Sequence, residues 1–284
     1  MSRRSQLLSR LQEISAGPKR SLGQNFLVAD HVIEKIIAAS AEGLAPGESS
    51  SLRDQHQGFQ ALIEIGPGLG ALTDELRKLG AKLTLIELDA KFAEYWRARG
   101  LNVVEADALR IDWLKLLDEQ PQPVRLVSNL PYQIAASLVI ELSLLPEQAG
   151  LESMILMFQK EVAQRIVARE SSEHYGLLSV IAQVFWQVRT VSEAGPGDFH
   201  PPPRVASRVL AFQRRRPAEL SAEDAVRFLK FVKLAYSQRR KRLLKNLGDP
   251  QGAVAALEAM GFDDNARIEQ LSPEQVLALF RAIR

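Results

Sequence analysis

Apolar residues recur along this chain at two spacings, and their order predicts strands that alternate with helices. Seven runs rich in Val, Ile and Leu predict β-strands at residues 61–65, 82–86, 101–104, 124–128, 153–158, 182–191 and 207–214. Between most of these runs the apolar positions follow helical spacing, as in residues 72–79, 90–99 and 135–145. Strands that alternate with helices indicate an α/β fold, with a mainly parallel sheet covered by helices on both faces.

The pattern changes after Pro217. Beyond it the apolar spacing predicts only helices, at residues 222–247, 250–260 and 273–283, with Gly248 and Gly261 as helix stops. We therefore predict two domains, residues 1–216 and a small all-α domain of residues 217–284. Residues 45–60, rich in Ser, Gly and Gln, predict a surface loop ahead of the first strand.

The net charge of +2 conceals an uneven distribution. Between Arg204 and Lys245 there are 13 Lys and Arg against 3 Asp and Glu, whereas the rest of the chain has 23 against 31. A basic block on an otherwise acidic chain indicates docking of a polyanion, although a solvated helix surface has a similar composition. The candidate contacts lie in residues 238–245, hereafter the basic tract, which we place on a helix. They are Arg239, Arg240, Lys241, Arg242 and Lys245.

The absence of cysteine removes several classes of chemistry. The chain cannot form disulfides, thiolate metal sites, Fe–S clusters or a cysteine nucleophile, and we expect no metal site. Residues 1–18 lack the apolar core of a signal peptide, and no run is long enough to cross a membrane. We therefore expect a cytoplasmic protein.

A glycine-rich segment follows the first predicted strand. It reads Glu64-Ile65-Gly66-Pro67-Gly68-Leu69-Gly70, hereafter the glycine turn. Such a turn suits a nucleoside cofactor, and Glu87, about 20 residues later at the end of the next strand, suits the ribose hydroxyls. The same glycines with Ala71 also satisfy the dinucleotide pattern G-x-G-x-x-A. The turn alone therefore does not separate NAD from S-adenosylmethionine.

Asp107 lies just beyond the third predicted strand. There a carboxylate can accept a hydrogen bond from an adenine amine of a cofactor, or can cap a helix. Because open α/β sheets bind ligands at the carboxyl ends of their strands, glycines and acids after three successive strands indicate one binding crevice.

The strand predicted at residues 124–128 runs into Asn129-Leu130-Pro131-Tyr132. The Asn129 side-chain oxygen and the Leu130 carbonyl are two acceptors for the two N–H bonds of an adenine amine. Pro131 restricts Leu130 to extended conformations, and the Tyr132 ring can stack on an extruded base. Such hydrogen bonds favour a nucleophilic nitrogen and stabilise its developing positive charge, which points to methyl transfer onto adenine N6.

Two alternatives accompany this interpretation. Asn129 can merely cap a helix after a strand-ending turn. A dehydrogenase would use the same glycine turn, but it needs a proton-transfer residue. None of the four histidines, His31, His56, His174 and His200, stands in such a setting.

These motifs, with others in the same order, resemble the ribosomal RNA adenine dimethyltransferase family, specifically its bacterial small-subunit enzymes. The similar segments are residues 19–27, 64–70, 87–89, 129–132, 158–163, 175–179, 199–205 and 239–247. The resemblance implies a Rossmann-like, seven-stranded sheet that binds S-adenosylmethionine, with a small helical C-terminal domain. It implies that the substrate is two adjacent adenosines near the 3′ end of 16S rRNA, in the small ribosomal subunit or its precursor.

The resemblance also implies roles for individual residues. Those expected to line the S-adenosylmethionine site are Asn25, Leu27, Gly66, Gly68, Glu87, Asp107 and Asn129. Phe199 is expected to be a second aromatic face for the target adenine, although a core phenylalanine is the alternative. The chain departs from the family in residues 45–60 and in an N-terminal extension with apolar residues at Leu7, Leu8, Leu11 and Ile14.

Related functions remain open at this point. A 23S rRNA adenine N6-methyltransferase uses a similar site, and relatives on the same fold act as non-catalytic RNA-binding assembly factors. We expect a monomeric enzyme whose partner is 16S rRNA.

Overall fold

The computed structural model describes residues 3–14, 17, 24–42, 59–215, 220–238, 241–248 and 250–283. The strands are β1 (Phe26–Leu27), β2 (Ala61–Ile65), β3 (Lys82–Glu87), β4 (Asn102–Glu105), β5 (Val124–Asn129), β6 (Leu151–Gln159), β7 (Trp186–Ala194), β8 (Phe199–His200) and β9 (Ser207–Arg214). The helices are α1 (Arg3–Glu13), α2 (Asp30–Ala41), α3 (Thr73–Leu76), α4 (Ala90–Arg97), α5 (Trp113–Asp118), α6 (Ala135–Ser143), α7 (Lys160–Ile166), α8 (Leu177–Phe185), α9 (Ala222–Ala235), α10 (Leu243–Leu247), α11 (Ala253–Ala259) and α12 (Pro273–Ala282). The loop predicted at residues 45–60 lies outside the described residues, except for Phe59 and Gln60.

Seven strands form one sheet in the order β4-β3-β2-β5-β6-β9-β7. Strand β2 pairs in parallel with both β3 and β5, and the pairs β3–β4 and β5–β6 are parallel as well. Strand β9 runs antiparallel to β6, and β1 and β8 form a separate antiparallel pair. The predicted α/β fold with a mainly parallel, seven-stranded sheet is confirmed.

The central strands are buried, which explains their continuous apolar runs. Every residue of β2 is buried, as expected for a parallel strand covered on both faces. Leu62, Leu85 and Val127 from neighbouring strands belong to one core cluster with Val32 and Ile36 of α2. The core therefore lies between helix α2 and the central strands β2, β3 and β5.

One buried cation fastens α2 to the sheet. The Arg125 side chain on β5 is almost fully buried and donates hydrogen bonds to the carbonyls of Ala39, Ser40 and Glu42. The last carbonyls of a helix have no partner within it, and a cation there complements the helix dipole. Burial lowers the pKa of Arg125 to about 10, so the guanidinium stays charged at neutral pH.

The strand predicted at residues 182–191 is wrong in its first part. Residues up to Phe185 belong to helix α8, and strand β7 begins at Trp186. The segment is a continuous apolar run, and periodicity cannot separate a buried strand from a buried helix in such a run. The helix is favoured at its start, where the Gly176 N–H donates to Ser179 Oγ at 3.0 Å.

The long helix predicted at residues 222–247 is also wrong, because it is two helices. The predicted inward positions Phe228, Phe231, Val232 and Ala235 are buried, but α9 ends at Ala235 and α10 begins at Leu243. The side chain of Asn246 donates to the carbonyls of Ala235, at 2.8 Å, and of Gln238, at 3.1 Å. These bonds satisfy carbonyls at the end of α9 and stabilise the break.

The chain divides into two compact units. The first comprises Met1–Leu138, Glu147–Ala163 and Arg189–Arg214, and the second comprises Val139–Pro146, Gln164–Val188 and Arg215–Arg284. In the second unit the rings of Phe185, Phe228 and Phe280 pack edge to face, at 6.4 and 5.4 Å between centroids. The helices after residue 217 thus cluster with two earlier segments, and the predicted boundary at 216 and 217 stays a prediction.

Among the described residues, no helix has both the length and the apolar character needed to span a bilayer.

Candidate active site

The candidate site lies where the strand order reverses. Strand β2 has β3 on one side and β5 on the other, so the chain leaves β2 at a topological switch point. Open parallel sheets bind ligands in the crevice at such a point, beyond the carboxyl ends of the strands. Three of the predicted residues stand at these ends: Gly66 after β2, Glu87 at the end of β3 and Asn129 at the end of β5.

The glycine turn has a backbone that only glycine adopts readily. Gly66 and Gly68 have φ angles of 66° and 48°. A Cβ atom at Gly68 would lie 2.9 Å from Cε1 of Phe26, so a side chain there requires movement of that ring. The Gly66 N–H donates to the carbonyl of Ile86 at 2.8 Å, which holds the turn against the end of β3.

Glu87 is held by the backbone around it. Its Oε2 accepts from the Gly68 N–H at 3.3 Å and its Oε1 accepts from the Asp89 N–H at 2.9 Å. Burial raises the pKa of Glu87, and these hydrogen bonds oppose the shift. Since a carboxylate has about four lone-pair sites, Glu87 retains acceptors for ribose hydroxyls.

The side chain of Asn129 has a defined orientation. Its Nδ2 donates to the Asn25 carbonyl at 3.1 Å. The Oδ1 atom is therefore the acceptor left available, and it has no protein donor among the described residues. At the same strand end, Ser128 Oγ donates to the Ile65 carbonyl at 2.6 Å and fastens β5 to β2.

Tyr132 is partly buried and anchored at its tip. Its hydroxyl forms a 2.8 Å hydrogen bond with Ser207 Oγ at the start of β9. Burial raises the pKa of Tyr132, so its hydroxyl is neutral at physiological pH. The ring is thereby held from one end while it borders the cavity described next.

Most of the predicted site residues line one cavity of about 620 Å³, part of which opens to solvent. The lining residues are Gln24, Asn25, Phe26, Gly66, Gly68, Glu87, Leu88, Asn129, Leu130, Pro131 and Tyr132. Leu27 borders a smaller adjoining cavity with Glu64 and Asn129. Glu87, the predicted acceptor for a nucleoside, and Asn129, the predicted acceptor for an amine, thus share one pocket.

Asp107 and Phe199 are not among the residues that line this cavity. Asp107 Oδ1 accepts from the Leu109 N–H at 3.0 Å, a local turn in which no helix follows directly. Its neighbour Ala106 donates its N–H to the Glu87 carbonyl at 3.1 Å, which places Asp107 beside the end of β3. Phe199 is 2% exposed and pairs with Leu27 between β1 and β8. Their predicted roles stay predictions, and for Phe199 the placement favours the core alternative.

The basic tract is described only in part. Arg239 and Arg240 lie outside the described residues. Lys241 and Arg242 are exposed in the connection between α9 and α10, and Lys245 is exposed on α10. Arg242 Nη1 is 3.8 Å from Asp264 Oδ2, a weak surface ion pair.

Three lining residues were missed from the sequence: Gln24, Phe26 and Leu88. Gln24 and Phe26 flank Asn25 within residues 19–27, the first segment that resembles the family. That resemblance could therefore have indicated them. Leu88 is 54% exposed although it is a large apolar residue. The available signal was its position directly after Glu87, the predicted ribose-binding acid, within the similar segment 87–89.

Glu64 is a buried acid whose protonation the sequence did not predict. It is 2% exposed, Thr73 Oγ1 donates to its Oε2 at 2.7 Å, and burial raises its pKa to about 8. Between about pH 5 and pH 8 the unfolded chain releases this proton while the folded chain keeps it, so the free energy of unfolding falls as pH rises.

We expect Glu64→Gln to remove this pH dependence. Relative to the parent, the variant should gain about 1 kcal/mol or more in the free energy of unfolding between pH 5 and pH 8. Urea denaturation across this range measures the difference. Glu34→Gln, at an exposed acid of α2, is the matched control, and an equal gain in both variants would contradict the interpretation.

We expect Tyr132→Phe and Ser207→Ala to have the same defect. Each removes the hydrogen bond that holds the ring and should lower kcat/KM for RNA about three- to tenfold. If that bond is the shared cause, the double variant should be no worse than either single variant. Steady-state kinetics on the four proteins checks this, and additive losses would show that the hydroxyls act separately.

Comparison with known proteins agrees with this geometry. The family model described as ribosomal RNA adenine dimethylase matches residues 17–284. A protein named ribosomal RNA small subunit methyltransferase A from Bdellovibrio bacteriovorus is 48% identical, over 99% of this chain and 98% of its own length. A protein of the same name from Syntrophotalea carbinolica is 37% identical, over 94% and 97%.

Solved structures show the same fold. A dimethyladenosine transferase from Plasmodium falciparum matches with a TM-score of 0.70 and 22% identity, over 89% of this chain and 95% of that one. The 23S rRNA methyltransferase ErmE matches with a TM-score of 0.64 and 26% identity, over 91% and 99%. Family model, relatives and fold agree over nearly the whole chain, which therefore belongs to the ribosomal RNA adenine dimethylase family of S-adenosylmethionine-dependent methyltransferases.

Proposed function

We propose that this chain dimethylates N6 of two adjacent adenosines near the 3′ end of 16S rRNA, in the small ribosomal subunit or its precursor. The observation that carries the proposal is the orientation of Asn129: its Nδ2 is bound to the Asn25 carbonyl, which leaves Oδ1 as an acceptor in a cavity that Leu130 also lines. The names of the relatives at 48% and 37% identity support small-subunit rRNA as the substrate.

The residues present fit S-adenosylmethionine. Gly66 and Gly68 line the cavity without Cβ atoms, so the backbone leaves room for a nucleoside, and Glu87 keeps a lone pair for a ribose hydroxyl. Asn25, Gly66, Gly68 and Glu87 would hold the nucleoside, with Leu27 and Asp107 as further candidates. When bound, S-adenosylmethionine supplies an electrophilic methyl group.

The protein contributes alignment and electrostatics. Asn129 Oδ1 and the Leu130 carbonyl accept the two N–H bonds of the adenine amine, which aims its lone pair and stabilises positive charge on the nitrogen. Tyr132, held by Ser207, offers a face on which the extruded base stacks. Among the described lining residues the ionisable ones are Glu87, whose carboxylate accepts from two backbone N–H groups, and Tyr132, whose hydroxyl is bonded to Ser207, so the site suits positioning of the amine and not general-base catalysis.

The second methyl transfer to the same nitrogen has fewer hydrogen bonds to orient the amine. A monomethylated amine has one N–H, so one of the two acceptors loses its donor. A buried acceptor without a donor costs about 1–3 kcal/mol. The second transfer therefore uses a water molecule at that acceptor or a rotated base.

Recognition of the substrate extends beyond the cavity. Residues 217–284, with the basic tract, contact rRNA phosphates, and folded RNA is read more through its shape than through base edges. The enzyme acts as a monomer in the cytoplasm, during assembly of the small subunit.

The test is a methylation assay with defined ribosomal particles. The purified chain is incubated with labelled S-adenosylmethionine and with small or large subunits from cells that lack these methylations. The expected result is label in small subunits alone, at two adjacent adenosines near the 3′ end of 16S rRNA, each carrying two methyl groups.

Two outcomes would overturn the proposal. Label in 23S rRNA alone would place the chain with the large-subunit enzymes. Absence of label, with intact binding to small subunits, would make it a non-catalytic assembly factor.

A further inference from the structure

The N-terminal helix packs against the glycine turn. Leu7 of α1 is 2% exposed and belongs to a small core cluster with Leu69 of the turn and Phe26 of the cavity wall. Leu11 and Ile14 pack against the same cluster. The apolar side of α1 therefore packs against the turn and against Phe26, which lines the cavity.

Arg10 connects this helix to the turn by polar contacts. Its Nη1 donates to the Leu69 carbonyl at 2.7 Å, and its Nη2 is 2.6 Å from Asp74 Oδ2. Its guanidinium also lies 5.6 Å from the ring centre of Trp96. The planar fork of arginine reaches a carbonyl and a carboxylate at once, which a lysine ammonium cannot reproduce.

Trp96 holds the neighbouring carbonyl of the same turn. Its indole N–H donates to the Gly68 carbonyl at 3.0 Å, so two consecutive carbonyls, of Gly68 and Leu69, are bound by Trp96 and Arg10. At Gly70, where φ is 85°, an added Cβ would overlap the Trp96 ring and lie 2.7 Å from Arg10 Nη1. The turn thus fits closely against both side chains.

The contact reaches the predicted ribose-binding acid. The Gly68 carbonyl faces Trp96, while the N–H of the same residue donates to Glu87 Oε2. A shift of the Gly68 backbone therefore changes the hydrogen bond that orients Glu87. Arg10 touches none of the predicted cofactor ligands, so its influence passes through the turn.

We propose that helix α1 is an intramolecular brace of the glycine turn, and that Arg10 is a positioning residue that sets the affinity of the cofactor site. The inference rests on the proposed placement of the cofactor at this turn. Without the brace, the turn samples other backbone conformations and cofactor binding must order it again.

The test measures cofactor affinity apart from RNA chemistry. S-adenosylhomocysteine is titrated calorimetrically into the full chain and into Arg10→Met, Arg10→Lys and Arg4→Met. Arg10→Met keeps the apolar stem but loses the donors and should raise Kd about tenfold, or 1.4 kcal/mol. Its kcat at saturating S-adenosylmethionine should stay within about twofold of the parent, because Arg10 does not touch the reacting groups.

Two variants refine the expected result. Arg10→Lys should recover only part of the affinity, and it is also the milder change should Arg10→Met fold poorly. Arg4→Met removes an exposed cation from the same helix and should leave Kd unchanged. This control separates a brace from a general effect of charge on α1.

Three outcomes would overturn the proposal. A lowered Tm with unchanged Kd in both Arg10 variants would make α1 a stabilising element only and overturn the brace. Glu87→Gln separates failure of the brace from failure of the cofactor placement. Weakened cofactor binding in Glu87→Gln with normal binding in Arg10→Met refutes the brace alone. Normal binding in both variants refutes the placement of the cofactor and the brace with it.

Discussion

Asn129→Ala is expected to abolish both methyl transfers while leaving cofactor affinity within about tenfold, a loss of no more than ~1.4 kcal/mol. In the proposed mechanism the amide is one of the two acceptors that orient the adenine amine, and its contribution to alignment and charge stabilisation is made in the transition state. Among the described residues its side chain forms one hydrogen bond, to the Asn25 carbonyl, so the cavity should keep its shape. Methyl incorporation into small subunits and calorimetric titration with S-adenosylhomocysteine measure the two quantities.

The matched control for this variant is Asn102→Ala. Asn102 is an exposed asparagine on strand β4 of the same sheet, and its Nδ2 donates to Thr84 Oγ1 at 3.0 Å, away from the cavity. Its loss should leave turnover near the parent value. Near-normal turnover in Asn129→Ala would refute the proposed mechanism.

Reversal of the charge at Lys241, Arg242 and Lys245 is expected to weaken binding to small subunits and to flatten its salt dependence. Each lost phosphate contact should reduce the slope of log K against log salt by about one unit, so the triple glutamate variant should lose about three. All three side chains are exposed, and the ion pair between Arg242 and Asp264 is long at 3.8 Å. Folding should therefore be little affected.

The control reverses three exposed cations elsewhere, at Arg77, Lys82 and Lys115. Lys82 begins strand β3, at the opposite end of that strand from Glu87. This triple variant changes the net charge equally, so it should weaken binding only through the general field. An equal change of slope in both variants would assign the basic tract a structural role.

Fold class and most of the site were predictable because their signals are local. A strand buried on both faces must be continuously apolar, and a turn with left-handed backbone angles must use glycine, whatever surrounds it. The same holds for Asn129-Leu130-Pro131-Tyr132, where three recognition groups stand in four consecutive residues. Parallel pairing then brings the carboxyl ends of β2, β3 and β5 together without further information.

The two wrong predictions concern segments whose local pattern fits two structures. The run ending at Phe185 is apolar enough for a strand or a helix, and the hydrogen bond between Gly176 and Ser179 favours the helix. The break after Ala235 has no glycine or proline to mark it. The helix end is capped instead by the side chain of Asn246, 11 residues later, which donates to the Ala235 carbonyl. The contact of Asn246 with Ala235 cannot be read from local spacing.

By itself the sequence determined the α/β order and the glycine turn after β2, and it predicted the acceptor pair at Asn129 and Leu130, because each depends on neighbours along the chain. Only the tertiary structure decided that Phe199 is buried and pairs with Leu27, that Ser207 bonds to the Tyr132 hydroxyl and that Arg10 donates to the glycine turn. These contacts join residues far apart in sequence, and packing selects them from many pairs that are chemically equivalent.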